Sequence, residues 1–362
     1  MRAWTRRAGG AVIAGLVLAL GAAGCSGTEE SPKLVAIPTR TPVPATEEAA
    51  GETQDTATVI SLDPALRDFM GVAMDASPLD RLDLFREQVM TPVSQCFDGS
   101  FWPDWNPEQL LGSGGIGLVS MDLQRWLDLL DSFPNDVAVS TIEDALAQTQ
   151  ALLPMEQSFT FCLLPLPLPM WYDGPAPEDQ GPVSEVQAQI LASNLDLIAV
   201  ICTGSDICLD RLSIESMQAY GMLYQAYHSG KNGAETSLLD MMIRSARAAY
   251  LVRQIQPDAA FPWDGALTAD QEAMLWGSIQ DTLAVTYGDY PQSRNIDRVL
   301  QGTANTARYP TSGGYYLGEQ IVQTYISAHP DVSLAELFAL DPEALLAESG
   351  YAPEAPPTQE AS

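Results

Sequence analysis

The sequence predicts a mainly helical α+β domain with a small β-sheet. Apolar residues recur at helical spacing in one segment after another from residue 77 onward, while only two short runs read as strands. The 362 residues are 46 % hydrophobic, ordinary for a globular protein and enough for a sizeable core. Charge is less ordinary, with 17 Lys and Arg against 47 Asp and Glu and a net charge of −30. A field of that sign argues against nucleic acid and anionic lipid surfaces as partners and helps keep the chain soluble.

Arg2, Arg6 and Arg7 give a positive start, followed by the apolar run 11–23, which closes on Leu20-Gly21-Ala22-Ala23-Gly24-Cys25. The run is shorter than the ~20 residues of a membrane span and has the build of a secretory h-region. Its end resembles a bacterial lipobox, with Ala22 where Leu is more usual. That resemblance implies that residues 1–24 are a signal peptide and that Cys25 is lipidated as the new N-terminus. No acid precedes Cys25, so the mature chain is three charges more negative.

Residues 25–60 follow as a linker rich in Ser, Thr, Glu, Pro and Ala (TPVPATEEAAGETQDTAT). Such a segment cannot bury enough apolar surface to offset its ordering entropy. Folding is expected over 61–352, with a Pro/Glu-rich disordered tail at 353–362. Within the domain, 77–92 reads as an amphipathic helix with Leu79, Leu82, Phe85 and Val89 on one face and Pro92 as its stop. Residues 97–116 are loop-like, and their GSGGIG lacks the GK[ST] of a phosphate loop. Helices follow at 122–132 and 140–152, the second with Ser140 and Glu143 at capping-box spacing. Residues 158–164 (SFTFCLL) read as a buried strand ended by prolines, and 195–202 as a second strand. Helices are then expected at 213–229, 236–256, 268–287, 313–328 and 333–338, with a last turn or two from Asp341-Pro342.

Apart from Cys25, four cysteines remain. An even number in an exported chain suggests two disulfides, with three possible connectivities. Cys202 and Cys208 flank a short loop, which favours Cys202–Cys208 and leaves Cys96–Cys162. A zinc site is the competing reading, but C-x5-C is not zinc-knuckle spacing and the chain has only two His.

The helix at 213–229 organises the rest. Ile214, Met217, Gly221, Tyr224, Gln225 and His228 fall on one face. Taken alone, such an aromatic-rich face is usually core. The C-terminal run Gly313-Gly314-Tyr315-Tyr316-Leu317-Gly318-Glu319-Gln320-Ile321-Val322, then Tyr325 and His329-Pro330, gives it another meaning. Together with helix 79–89, Cys162-Leu163-Leu164-Pro165 and Gln271 to Trp276, that run resembles the predicted zinc-dependent proteases over about residues 77–352. The resemblance implies a gluzincin-like metallopeptidase fold, with an H-E-x-x-H helix and a third ligand, Glu, on the next helix. Carried over, Tyr224 stands at the first His, Gln225 at the general base, His228 at the second His, and Ser245 at the ligand Glu.

Catalytic zinc needs about three protein ligands and a base. Only His228 is kept, and an amide at Gln225 cannot take a proton from water. The sequence therefore implies a membrane-anchored, extracytoplasmic lipoprotein of the bacterial envelope with a degenerate protease-like domain. It is expected to be catalytically inactive, to use no cofactor and to bind or scaffold at the cell surface with a peptide or protein ligand. An active peptidase holding zinc through unconventional ligands, a solute-binding lipoprotein and a structural envelope lipoprotein are the alternatives.

Overall fold

The computed structural model describes residues 57–97, 122–165, 186–190, 197–202, 206–231, 233–302 and 308–353, with the backbone alone for 186–190, 197–202 and 206–210. Cys25, the lipobox and the tail from 354 lie outside the described residues.

Helices dominate; those before residue 230 pack on one mixed sheet, and those from residue 238 onward pack mainly on one another. Strand β1 (Ala57–Ser61) lies parallel to β2 (Phe159–Pro165), with Ala57 opposite Phe159 and Ser61 opposite Leu163. β2 lies parallel to β4 (Leu197–Cys202), and β3 (Val186–Ile190) closes the edge antiparallel to β4, giving the order β1-β2-β4-β3. The sequence reading placed the start of folding too late and missed β3. Residues 57–60, assigned to the linker, form most of β1, because Thr58, Val59 and Ile60 find their hydrogen bonds on a strand about a hundred residues away.

The period-2 alternation of β2 divides the core in two. Phe159, Phe161 and Leu163 face α4 (Asn135–Leu152) and α5 (Asp206–Ser229), meeting Ile142, Leu146, Tyr220 and Leu223. Cys162 and Leu164 face the opposite layer of α1 (Asp63–Ala73), α2 (Asp80–Phe85) and α3 (Leu123–Ser132). There the fully buried Trp126 donates its Nε1–H to the Pro165 carbonyl at 2.9 Å and lies against Phe69 and Phe85. Cys96 and Cys162 form a disulfide with Cα atoms 6.0 Å apart, pinning the turn after α2 to β2. The other expected pairing, Cys202–Cys208, falls on residues whose side chains lie outside those described.

Several helix boundaries differ from expectation for local reasons. The segment expected at 77–92 is helical from Asp80 and widens into a π turn at Arg86–Met90 before Pro92. α1, unread in the sequence, starts with Pro64 in its first turn and buries Leu66, Phe69, Met70 and Ala73 on one stripe. α4 starts at Asn135, after Pro134, so Ser140 is interior and bonds the Val137 carbonyl instead of capping. The helix expected to run to residue 287 is α7 (Ala269–Ile279), followed by a 3₁₀ turn, Gln280–Thr282. Chain after that turn runs antiparallel to 234–239, with Leu238 and Leu239 N–H groups bonded to the Val285 and Leu283 carbonyls. α8 (Arg294–Gln301) was also unread.

α6 (Leu238–Ile255) is the centre of the C-terminal half. Ser237 and Asp240 form its capping box. Thirteen of its 18 residues are buried, so it is covered on nearly every side. α5 crosses it where Gly221 has no side chain: a Cβ there would stand 3.0 Å from the Ala248 Cα. α9 (Gly313–Ala328) presses on it at Gly318, where a Cβ would stand 2.7 Å from the Met242 carbonyl carbon and closer still to its oxygen. α10 (Leu334–Ala339) and α11 (Pro342–Ser349) complete the cover.

Candidate functional site

The candidate site is the C-terminal half of α5 and the part of α6 beside it. Counting from the Gly221–Ala248 crossing, Gln225 lies one turn further along α5, and Arg244 and Ser245 lie one turn back along α6. The short connection at 230–237 makes the two helices antiparallel neighbours, and it is tied down from α6. Arg244 donates to the Lys231 carbonyl at 3.0 Å, and Lys231 Nζ lies 3.2 Å from Asp240.

Of the four positions singled out by sequence, two are closed off from water and two are not. Gln225 is 3 % exposed and its Oε1 has no hydrogen-bond partner, while Ser245 is 2 % exposed. Tyr224 is half-buried and His228 exposed. Their rings sit 4.1 Å apart between centroids, as residues four apart on one helical face should. Tyr227 meets His228 edge-on at 5.3 Å, and Tyr224 meets Phe338 of α10 at 5.8 Å. The structure thus joins Tyr224 and His228 in an aromatic group running back to Tyr220.

Burial shapes the chemistry of this group. It raises the Tyr224 phenol above its ordinary pKa, so the hydroxyl stays neutral. Partial desolvation beside these rings lowers the His228 imidazole although the residue is exposed, against the attraction of Glu156, and favours the neutral ring. The other histidine stands elsewhere: His329 ends α9, stacked on Tyr325 with 4.2 Å between ring centroids.

These residues do not fit a catalytic zinc. A phenol held neutral is a weak ligand, the orphaned acceptor of Gln225 belongs to a buried amide, and Ser245, where the resemblance would put the ligand Glu, offers only a neutral hydroxyl. Among the described residues no group of three or more His, Cys, Asp or Glu is placed to hold a metal.

Two residues beside the site were missed by the sequence reading. Arg244 and Arg247 flank Ser245 on α6 and are 4 % and 0 % exposed. Arg247 donates to the carbonyls of Leu340 at 2.6 Å and Phe338 at 3.4 Å, anchoring the end of α10 beneath Tyr224. Burial pulls its pKa down to about 10, against the attraction of Asp341, Tyr325 and Asp240, so it remains a cation at neutral pH. Two arginines in an otherwise apolar stretch, RSAR, were the available signal. A second polar knot lies between α9, the end of α6 and α7. Glu319 accepts from Trp263 Nε1 at 2.6 Å and from Arg253, and Glu272 accepts from Tyr351 at 2.6 Å and Tyr316 at 3.3 Å.

Residues 297–353, spanning α8 to α11, match the lipoprotein family model described as gliding motility protein GldB. The matched stretch includes the glycine-rich α9 and the α10 segment held by Arg247. No curated protein and no solved structure matches the chain. The resemblance to zinc-dependent proteases has no counterpart in these comparisons, whereas similarity to a lipoprotein family accords with the N-terminal lipobox and a place in the cell envelope. No helix among the described residues is long and apolar enough to cross a membrane.

Proposed function

We propose that this chain is an extracytoplasmic lipoprotein, anchored through lipidated Cys25, whose domain binds or scaffolds a peptide or protein partner at the bacterial surface and does not cleave it. The observation that carries the reading is the content of the α5–α6 pair. Positions that would hold a ligand and a base in a zinc enzyme contain a hydroxyl and an amide packed between helices, 2 % and 3 % exposed. A hydroxyl and an amide supply neither a strong zinc ligand nor a base for metal-bound water. What the fold keeps is the scaffold: α6 covered on nearly every side, with the segment similar to gliding motility protein GldB laid across it. That similarity supports a part in envelope machinery. The acidic charge favours basic partners and disfavours nucleic acid.

The anchor is tested by expressing the full chain with a clickable fatty acid. The native chain should take up label and sediment with membranes, and Cys25→Ser should lose both. Unchanged membrane partitioning of Cys25→Ser would remove the anchor from the proposal.

A further inference from the structure

A concave feature lies away from Tyr224, Gln225, His228 and Ser245. It is a groove of about 340 Å³ between the first turn of α6, the 3₁₀ turn after α7, and α11. Leu239, Leu283 and Leu346 supply apolar wall, and Asp281 and Glu343 are exposed acids at its edge. Among the described residues that line it none is basic. Leu239 is fixed by its N–H bond to the Leu283 carbonyl at 3.0 Å, so two of the walls are held together by backbone. One of the contributing helices, α11, lies within the segment similar to gliding motility protein GldB.

We propose that this groove docks a basic amphipathic segment of a partner protein, with an aliphatic side chain against the leucines and Lys or Arg side chains on Asp281 and Glu343. Two features favour that occupant. The volume is at the low end of the range for ligand sites and suits one or two aliphatic side chains. The charge is complementary at two scales, locally at the acidic edge and globally in a chain of net charge −30, which raises the rate of encounter with cations. The groove gives a partner chemistry to the binding role proposed above and rests on that reading for its biological meaning, while its own chemistry is tested separately.

The test uses the full chain carrying Cys25→Ser to keep it in solution, and two short fluorescein-labelled amphipathic peptides, one built of Leu and Lys, the other of Leu and Glu. Saturable binding of the Leu/Lys peptide is expected, weakening as salt rises, with no binding of the Leu/Glu peptide. Joint substitution of Asp281→Asn and Glu343→Gln should lower affinity roughly three- to tenfold, the range for two exposed ion pairs. Ala347→Trp, at an exposed lining position, should fill the groove and abolish binding with the circular dichroism spectrum unchanged. Equal binding of both peptides, or unaltered affinity in both variants, would overturn the proposal. So would a dimer that Ala347→Trp dissociates, because the occupant would then be a second copy of this chain. Mass spectrometry of the recovered peptide separates the two claims: a cleaved peptide contradicts the non-catalytic reading and leaves the groove assignment standing.

Discussion

Gly318→Val is expected to leave little folded protein, and Gly318→Ala to cost about 3 kcal/mol or more. An added methyl at 318 would meet the backbone of Met242, not the end of a flexible side chain. α9 must then move off α6, and Leu317, Ile321 and Val322 leave the core with it. Overpacking a well-filled core typically costs about 1–3 kcal/mol, and a clash with the backbone lies at or beyond the upper end. Gly277 of α7 is the control. A Cβ there has nothing within 4 Å, so Gly277→Ala should gain up to about 1 kcal/mol from helix propensity. Urea denaturation of the two alanine variants measures the contrast. Equal midpoints would mean that α9 does not approach α6 closely.

The second large effect is a gain of function. Tyr224→His, Gln225→Glu and Ser245→Glu introduced together should give a zinc site with a Kd of about 1 µM or tighter, in the range open to a three-ligand site. Each single change should do little. Tyr224 and His228 already share a face with rings 4.1 Å apart, so two imidazoles would be paired without moving the backbone. The third ligand would come from α6, adjoining α5 across the Gly221–Ala248 crossing. The cost falls on the metal-free protein, which would bury two carboxylates where an amide and a hydroxyl now sit. The triple variant should therefore be much less stable than the native chain until zinc is added. If it binds zinc no better than the single variants, the two helices do not present a ligand geometry.

Strongly periodic segments were legible in the sequence. Helices α3, α6 and α9 and strands β2 and β4 lie within a few residues of their expected positions, because each carries its own apolar pattern and, for α3 and α6, its own cap. What escaped depends on distant partners. β1 is a strand because β2 supplies its hydrogen bonds, and its polar approach, TQDTAT, reads as linker. Ser140 and Glu143 have capping-box spacing inside a helix, where the Ser140 hydroxyl instead donates back to the Val137 carbonyl. The Cys96–Cys162 pairing, expected once Cys202 and Cys208 are paired across their short loop, is the one the fold makes, across 66 residues. At the candidate site the residue types were readable but their accessibility was not. Nothing local distinguishes the enclosed Gln225 from the exposed His228 three positions later. Arg244 and Arg247 would ordinarily be read as surface residues, and both are buried by tertiary neighbours, Lys231 and Tyr287 beside Arg244, and Phe338, Leu340 and Tyr325 beside Arg247.

The central claim is that the domain is a binding scaffold and not a hydrolase, and the metal content of the native chain tests it most directly. The full chain would be expressed in zinc-supplemented medium, purified without chelator, and measured for zinc per polypeptide and for cleavage of a peptide library. The account predicts substoichiometric zinc and no cleavage above the level of a buffer control. One zinc per chain, with peptide cleavage abolished by a chelator and recovered on adding zinc back, would contradict it.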